Sequence, residues 1–460
     1  MKIVVIGGNA AGMSVALKAK RECKTAEVIV ITKENQISFA PGALSFYLKG
    51  AIEDEALYAR TPDSVRAAGI ELYLQSPVIE VDTVLKSVTF LPHNQTQKGE
   101  KKILTYDRLM IATGARPQDH PLKLKHYHNV YTFKSFFEVD RLKKARAEYK
   151  TMAVIGGSIV AVEVAQTLSS MGIKTYLIHR GAYPLDRYFG ASEKERILES
   201  LDAQGIECIM GATIEAIKAG QLNPSTLTSL LIHQEQDTRW IDIDGAVLAL
   251  GVAPNSELFG SLDGDGDGDG LETTANGAIE IDLYGETSLQ DHYAAGDVAT
   301  IPHFLLGSRY LPVAASANKM GRIIGQNIVS NRSDRVPYLG SLGSAMVRLG
   351  EWELGATGIT EREARLANIP YQMATITAPS AAEFIEHQHP VTITLLYHAK
   401  TRVLLGGTII AKGNASLRLT ALTALIYGKQ TVDAIGFMDF AYEPSLSAMW
   451  DPLNIAGNRA

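Results

Sequence analysis

Cysteine is nearly absent from this chain: Cys23 and Cys208 are the only two in 460 residues. Two thiols cannot build a disulfide framework, and a reducing, cytoplasmic setting is the expectation for such a chain. No apolar run reaches the roughly 18 residues needed to cross a bilayer, so a membrane-inserted protein is not expected. Positive charge is not in excess either. Lys and Arg number 44 against 50 Asp and Glu, a net charge of −6, and nucleic-acid binding needs a clustered basic face that this balance does not suggest. The opening stretch 1–8 has an apolar run too short for the core of a signal peptide and no cleavage pattern after it, so it reads as a strand. What is present is ordinary globular material, 46% hydrophobic and 20% charged, enough for about three domains with buried cores.

The informative positives are two glycine-rich turns. Ile3 to Ile6 is a short β-branched run; Gly7, Gly8, Asn9, Ala10, Ala11 and Gly12 follow, then a helical stretch from Met13 to Arg21 and a second strand from Val28 to Ile31. This is a βαβ unit. Gly7 permits the tight turn, the helix start offers unpaired N–H groups to a pyrophosphate, and Gly12 lets helix and strand pack closely. The pattern recurs from Met152, with Gly156, Gly157, Ser158, Ile159 and Ala161 leading into a helix that carries Glu163 and then a strand from Lys174 to Ile178. Two such units on one chain are far more specific than one. Asn9 and Ser158 both replace the middle glycine, and Ala161 is an accepted replacement for the third.

The residues that end the second strand of each unit read the adenosine ribose: an acid favours a free 2′-hydroxyl and a base favours a 2′-phosphate. In the first unit Thr32, Lys33 and Glu34 stand there, with the Thr32 hydroxyl or Glu34 as the candidates. In the second unit His179 and Arg180 stand there, which favours NADPH over NADH.

Further along the chain are the stretch 106–117 with Thr113 and Gly114, the stretch 248–255 with Gly251, the stretch 293–299 with Gly296 and Asp297, and the segments 317–322, 357–361 and 440–444. In this order, with the two turns, they resemble the CoA-disulfide reductase, NADH oxidase and NADH peroxidase branch of the FAD-dependent pyridine nucleotide-disulfide oxidoreductases, over nearly the whole chain. The resemblance implies an α/β protein with two Rossmann-like three-layer domains, one for FAD and one for NAD(P), and an α+β C-terminal domain that forms a homodimer. The implied boundaries are 1–118 with 251–334 for FAD, 119–250 for NAD(P), and 335–460 for dimerisation. Around FAD it implies the first turn and strand end, Ser38, Phe39, Val78, Thr113, Gly114, Gly296 and Asp297, the last at a helix start. Around the nicotinamide nucleotide it implies the second turn, Glu163, His179, Arg180 and Gly251. CoA is a possible further ligand, with Lys20 and Arg21 as candidates for its phosphates, although basic residues at a helix C-terminus are also favoured by the dipole.

The chain departs from this pattern at its reactive centre. Counted from Ile37, Ser38 and Phe39, the family's redox cysteine falls on Gly42. Cys23 lies beyond the first helix, on the side away from the flavin ring, and Cys208 falls on an apolar strand, so both are expected to be buried structural thiols. The histidine of the peroxidase branch is replaced by Ala10, and the second aromatic that CoA-disulfide reductases place before the final strands is displaced, the stretch Ala381, Ala382, Glu383 and Phe384 occupying that region; Tyr442 is kept. Cleaving a disulfide needs a thiolate beside the flavin, whereas hydride transfer from NAD(P)H to FAD needs only geometry and electrostatics. The expectation is an FAD-dependent NAD(P)H oxidoreductase that passes two electrons directly to oxygen, releasing hydrogen peroxide, or to a small acceptor. The alternative is a catalytically silent FAD- and CoA-binding homologue with a regulatory role. An active disulfide reductase would need a distant thiol.

Three other signals are weaker. Asp263, Asp265, Asp267 and Gly268 resemble the start of a calcium loop, but Thr274 stands where the bidentate glutamate belongs. His387 and His389 could share one strand face, without a third ligand, or line the acceptor pocket, but an exposed loop is the simpler reading, and no metal is expected. The basic run 141–146 reads as the solvated face of a helix.

Overall fold

The computed structural model describes residues 1–93, 100–260 and 270–460. The aspartate-glycine repeat that begins at Asp263 lies, except for Gly270, outside the described residues. The chain forms two compact units, one from residues 1–117 and 252–341, the other from 118–251 and 342–460.

In the first unit the β-branched run becomes strand β1, Lys2–Ile6, followed by helix α1, Ala10–Glu22, and strand β2, Glu27–Ile31. β1 pairs in parallel with β2 on one side and with strand Arg108–Ile111 on the other. Strands Glu71–Tyr73 and His292–Ala294 complete a five-stranded parallel sheet. Ile3, Val4, Val5 and Val30 are fully buried, as expected of a sheet covered on both faces. Helix Ala314–Asn327 packs tightly on α1: a Cβ added at Gly321 would sit 2.8 Å from the Ala11 carbonyl, and one at Gly325 would sit 2.8 Å from that of Val15. A three-stranded antiparallel sheet, Val78–Asp82, Ser87–Phe90 and Lys102–Thr105, is appended.

The second unit repeats the motif with strand β3, Thr151–Ile155, helix α2, Ile159–Ser170, and strand β4, Lys174–His179. These strands lie in a parallel five-stranded sheet with Ile206–Met210, Gly245–Leu248 and Val130–Thr132. Residues 342–460 contribute a five-stranded antiparallel sheet and helices Ala415–Tyr427 and Pro452–Arg459. Glu193, only 4% exposed, links the two parts of this unit: its carboxylate accepts hydrogen bonds from Thr394 (3.2 Å) and Thr408 (3.1 Å) of the antiparallel sheet and from Ser192 (2.8 Å). The fold class expected from the sequence is therefore present, two parallel α/β sheets and an α+β C-terminal part.

One local expectation is corrected. Asp297 does not start a helix. It lies in a turn in which the Ala299 N–H donates to the Gly296 carbonyl at 3.0 Å, and the next helix begins only at Ala314. The reason is competition from a ladder: Ile279 donates to Val298 and accepts from Thr300, which draws the chain out into strand Ile301–His303. His387 and His389 lie in a loop, the simpler of the readings, because strand Pro390–His398 starts after them. His389 is held in the preceding loop by Ser380, whose hydroxyl accepts its backbone N–H at 3.1 Å. Among the described residues no group of three or more His, Cys, Asp or Glu side chains is arranged to hold a metal ion.

Candidate nucleotide-binding turns

In the first turn Gly7 has φ +115, and an added Cβ would meet the Ala112 carbonyl oxygen at 2.1 Å; at Gly12 it would meet the Gly7 oxygen at 2.0 Å. Both positions therefore require glycine. Asn9 is not a weakened glycine. Its Oδ1 accepts the Phe39 N–H at 3.1 Å, and the Gly8 carbonyl accepts the Ser38 N–H at 2.8 Å, so the segment after β2 is pinned onto the turn. Phe39 stacks obliquely on Tyr58, with ring centroids 5.8 Å apart.

Ser38 is held at φ +55, and its buried Oγ has no hydrogen-bond partner among the described residues. A strained backbone and an orphaned hydroxyl beside a glycine cradle mark a place prepared for a polar ligand. Thr32 is buried and its hydroxyl accepts the Glu34 N–H at 3.3 Å, while the side chains of Lys33 and Glu34 are exposed. Thr113 and Gly114 are clasped to Asn255: the Thr113 hydroxyl donates to the Asn255 carbonyl at 2.6 Å, and the Asn255 N–H donates to the Gly114 carbonyl at 2.9 Å. Val78 opens the antiparallel sheet, half-buried against the first unit's core. These residues fit a dinucleotide laid over the start of α1. The first turn of that helix carries no acid to repel a pyrophosphate.

The second turn has the same skeleton. Gly156 has φ +137, and an added Cβ would meet the Ala249 oxygen at 2.3 Å. Ser158 caps α2, its hydroxyl accepting the Ala161 N–H at 3.3 Å, so it serves the helix rather than standing free over the turn. Ile159 and Glu163 lie in the first turns of α2, both half-buried, and Gly251 has φ +98. His179 ends β4 as expected. Its imidazole lies against Gly157, where an added Cβ would fall 2.5 Å from Cε1, and its buried Nε2 lacks a hydrogen-bond partner among the described residues. Arg180 is exposed. The reading of this turn missed Asp186, whose Oδ2 lies 3.5 Å from His179 Nε2.

Gly42 lies in the one-turn helix Pro41–Ala43, outside the left-handed region, and an added Cβ would meet nothing within 4 Å. The two thiols lie on other elements. Cys23 is half-buried rather than buried, 3.4 Å from the Thr25 hydroxyl, and that hydrogen bond lowers its pKa from the ordinary value. It follows the C-terminal end of α1, so the 13 residues of that helix separate it from the glycine turn by roughly 20 Å at 1.5 Å per residue. Cys208 is half-buried on strand Ile206–Met210, where burial raises its pKa to about 11. Lys20 donates to the Ala26 carbonyl at 2.8 Å, while Arg21 is exposed. Tyr442 is 45% exposed on the second unit.

Two glycine-turn βαβ units with an α+β C-terminal part define a two-Rossmann α/β protein. The family model for the pyridine nucleotide-disulphide oxidoreductases matches residues 1–321, and the model for that family's dimerisation domain matches 344–453. The chain belongs to this family. It is 26% identical to a NADH oxidase of Methanocaldococcus jannaschii over 100% of this chain and 98% of the relative. It is 29% identical to an NAD(P)H coenzyme A polysulfide/persulfide reductase of Pyrococcus horikoshii, over 98% and 96% respectively. Among solved structures, the water-forming NADH oxidase of Lactobacillus brevis bound to NADH matches with a TM-score of 0.89 at 25% identity, over 100% of this chain and 97% of that one. Among the described residues no helix is long and apolar enough to cross a membrane.

Proposed function

We propose that this oxidoreductase is an FAD-dependent NAD(P)H oxidase or reductase that delivers two electrons directly to oxygen, giving hydrogen peroxide, or to a small acceptor, without a redox cysteine. We assign the FAD domain to 1–118 with 251–334, the NAD(P) domain to 119–250 and the homodimerisation domain to 335–460, and place the working protein in the cytoplasm. Bound FAD supplies the two-electron acceptor for the nicotinamide hydride and the donor for the second substrate.

The chain's own residues hold the reactants. The α1 start, Gly7, Gly8 and Gly12 receive the FAD pyrophosphate, Ser38 Oγ gains a partner, and Thr113 and Gly114, fixed by Asn255, border the site with Gly296 and Asp297. Glu34 serves the ribose, with the Thr32 hydroxyl, which accepts the Glu34 N–H and keeps its own donor, beside it. The second turn receives the nicotinamide nucleotide, and Tyr442 serves the acceptor. An acceptor related to CoA is compatible with the exposed guanidinium of Arg21; Lys20 is already engaged with the Ala26 carbonyl.

The observation that carries this reading is Gly42: open space without a nucleophile, with the thiol of the same unit, Cys23, at the far end of α1. A disulfide, a persulfide or peroxide reduced to water would each need a sulfur there. The balanced overall reaction is NAD(P)H + H⁺ + O₂ giving NAD(P)⁺ + H₂O₂. Anaerobic mixing of the yellow protein with NADPH and with NADH is expected to bleach the oxidised flavin absorbance, and air is expected to restore it with peroxide released. Water as the sole product would overturn the oxidase form. Absence of bleaching in protein that holds FAD would replace the enzyme with a binding protein.

A further inference from the structure

The two units can be superposed through their hydrogen bonds. In the first, Gly7 N–H donates to the Ile31 carbonyl and Ser38 N–H to that of Gly8, both at 2.8 Å. In the second, Gly156 N–H donates to Ile178 at 2.9 Å and Leu185 N–H to Gly157 at 2.7 Å. Ser38 and Leu185 are both left-handed, with φ +55 and +66. The intervening loops have equal length, so Thr32 corresponds to His179, Lys33 to Arg180, Glu34 to Gly181 and Phe39 to Asp186.

The acid that the first unit places just past its strand is therefore missing from the second, where Gly181 stands. Its space is filled from the returning loop. A Cβ on Gly181 would meet Asp186 Oδ2 at 2.3 Å and His179 Nε2 at 2.4 Å. The imidazole needs glycine on two sides, at Gly157 and at Gly181, to occupy this slot, and the Asp186 carboxylate lies beside it, 3.5 Å from Nε2. The Asp186 side chain stays 34% exposed, open to an incoming ligand.

We propose that Asp186 is the acid that reads the adenosine ribose in the second nucleotide site, with His179 as its positioning residue, so that this protein takes the free 2′-hydroxyl of NADH in preference to the 2′-phosphate of NADPH. A carboxylate accepts from the hydroxyl and repels the phosphate, and like charges brought together discriminate strongly between ligands. Arg180 pulls the other way, but it is exposed and solvated, whereas Asp186 is held in the slot. This rests on the second turn being the NAD(P) site, and it reverses the preference that His179 and Arg180 suggest as bare residues.

The test is equilibrium binding of NAD⁺ and of NADP⁺ to the FAD-loaded full-length protein, followed by calorimetry, with the thermal melt of each variant recorded. The wild type is expected to bind NAD⁺ the more tightly. Asp186→Asn is expected to lower the ratio of the NADP⁺ to the NAD⁺ dissociation constant by about tenfold or more, with Asp186→Ser as the second variant should the first not fold. His179→Ala is expected to lower the same ratio and His179→Gln, whose amide N–H can face Asp186 from the same slot, to preserve most of it. Tighter NADP⁺ binding by the wild type, or a ratio unchanged in folded Asp186 variants that bind both nucleotides, overturns the role of Asp186 and leaves the NAD(P) site standing. Failure of the wild type to bind either nucleotide overturns the site itself.

Discussion

The two glycine turns share a backbone and differ in what is laid over it. Over Gly8 the nearest atoms to an added Cβ are methyl carbons, Ile37 Cγ2 at 3.0 Å and Thr32 Cγ2 at 3.2 Å; over Gly157 they belong to an imidazole that faces a carboxylate. The third turn residue differs as well, for Asn9 ties down the returning loop whereas Ser158 caps its own helix. The first turn is thus fixed by contacts reaching across the unit, which suits a cofactor that stays bound. The second keeps ionisable side chains at its rim, which suits a ligand that must be chosen and released.

The sharpest way to break the comparison is at the last turn position, glycine in one unit and alanine in the other. Gly12→Ala would drive a methyl to 2.0 Å from the Gly7 oxygen, with Val5 3.2 Å away on the other side. Neither neighbour can yield cheaply, one being backbone and the other a fully buried side chain. The expected cost is about 3 kcal/mol together with loss of bound FAD, read by chemical denaturation and by the flavin to protein absorbance ratio. Ala161, fully buried at the matched position, already accommodates the methyl. Ala161→Gly is expected to cost only about 1 kcal/mol, the helix penalty of glycine, and to leave FAD in place. Equal effects of the two changes would mean that the turns are not equivalent in the way their hydrogen bonds indicate.

Gly42 is the opposite kind of glycine, kept without a steric reason. Gly42→Cys is expected to fold with stability changed by no more than about 0.5 kcal/mol, since it enters open space outside the left-handed region. Its expected effect is on product. Peroxide formed at the site would oxidise the new thiolate to a sulfenate, releasing one water, and two electrons from a second NAD(P)H would return it to the thiolate with release of another, so the peroxide recovered per nicotinamide oxidised should fall by about half or more. A dimedone adduct at position 42 is the covalent check. An undiminished peroxide yield with no adduct would mean that position 42 lies away from the chemistry.

The parts of this molecule legible in the sequence were those specified locally. The β-branched runs that end in glycine mark β1 and β3, and the helix after each turn follows from its composition, because strand, turn and helix start lie within about a dozen residues. What escaped was specified at a distance. Asp297 leaves the helical path because Ile279 offers a ladder on both sides of Ala299, just after it. Asp186 was invisible because the ribose rule looks only at the strand's end, whereas this acid returns after a loop whose fold depends on the Leu185 to Gly157 bond. The signal was nonetheless available, since the spacing from strand end to returning residue is the same in both units.

The smallest expected effects separate Asn9 from Ser158. Asn9→Ala leaves the Phe39 N–H without its 3.1 Å acceptor and loosens the segment that holds Ser38 in its left-handed conformation, a cost of about 1 kcal/mol. Ser158→Ala removes an N-cap at a similar cost of about 1 kcal/mol, but the loss falls on α2. Global stability alone would not distinguish them, so the measurement is thermal release of FAD followed by its fluorescence, with calorimetric NAD⁺ binding in parallel. Asn9→Ala is expected to release FAD at a lower temperature and leave NAD⁺ affinity unchanged; Ser158→Ala is expected to do the reverse. If both variants shift FAD release equally, Asn9 does no more than a cap does, and the argument that the first turn is locked for a permanent cofactor loses its support.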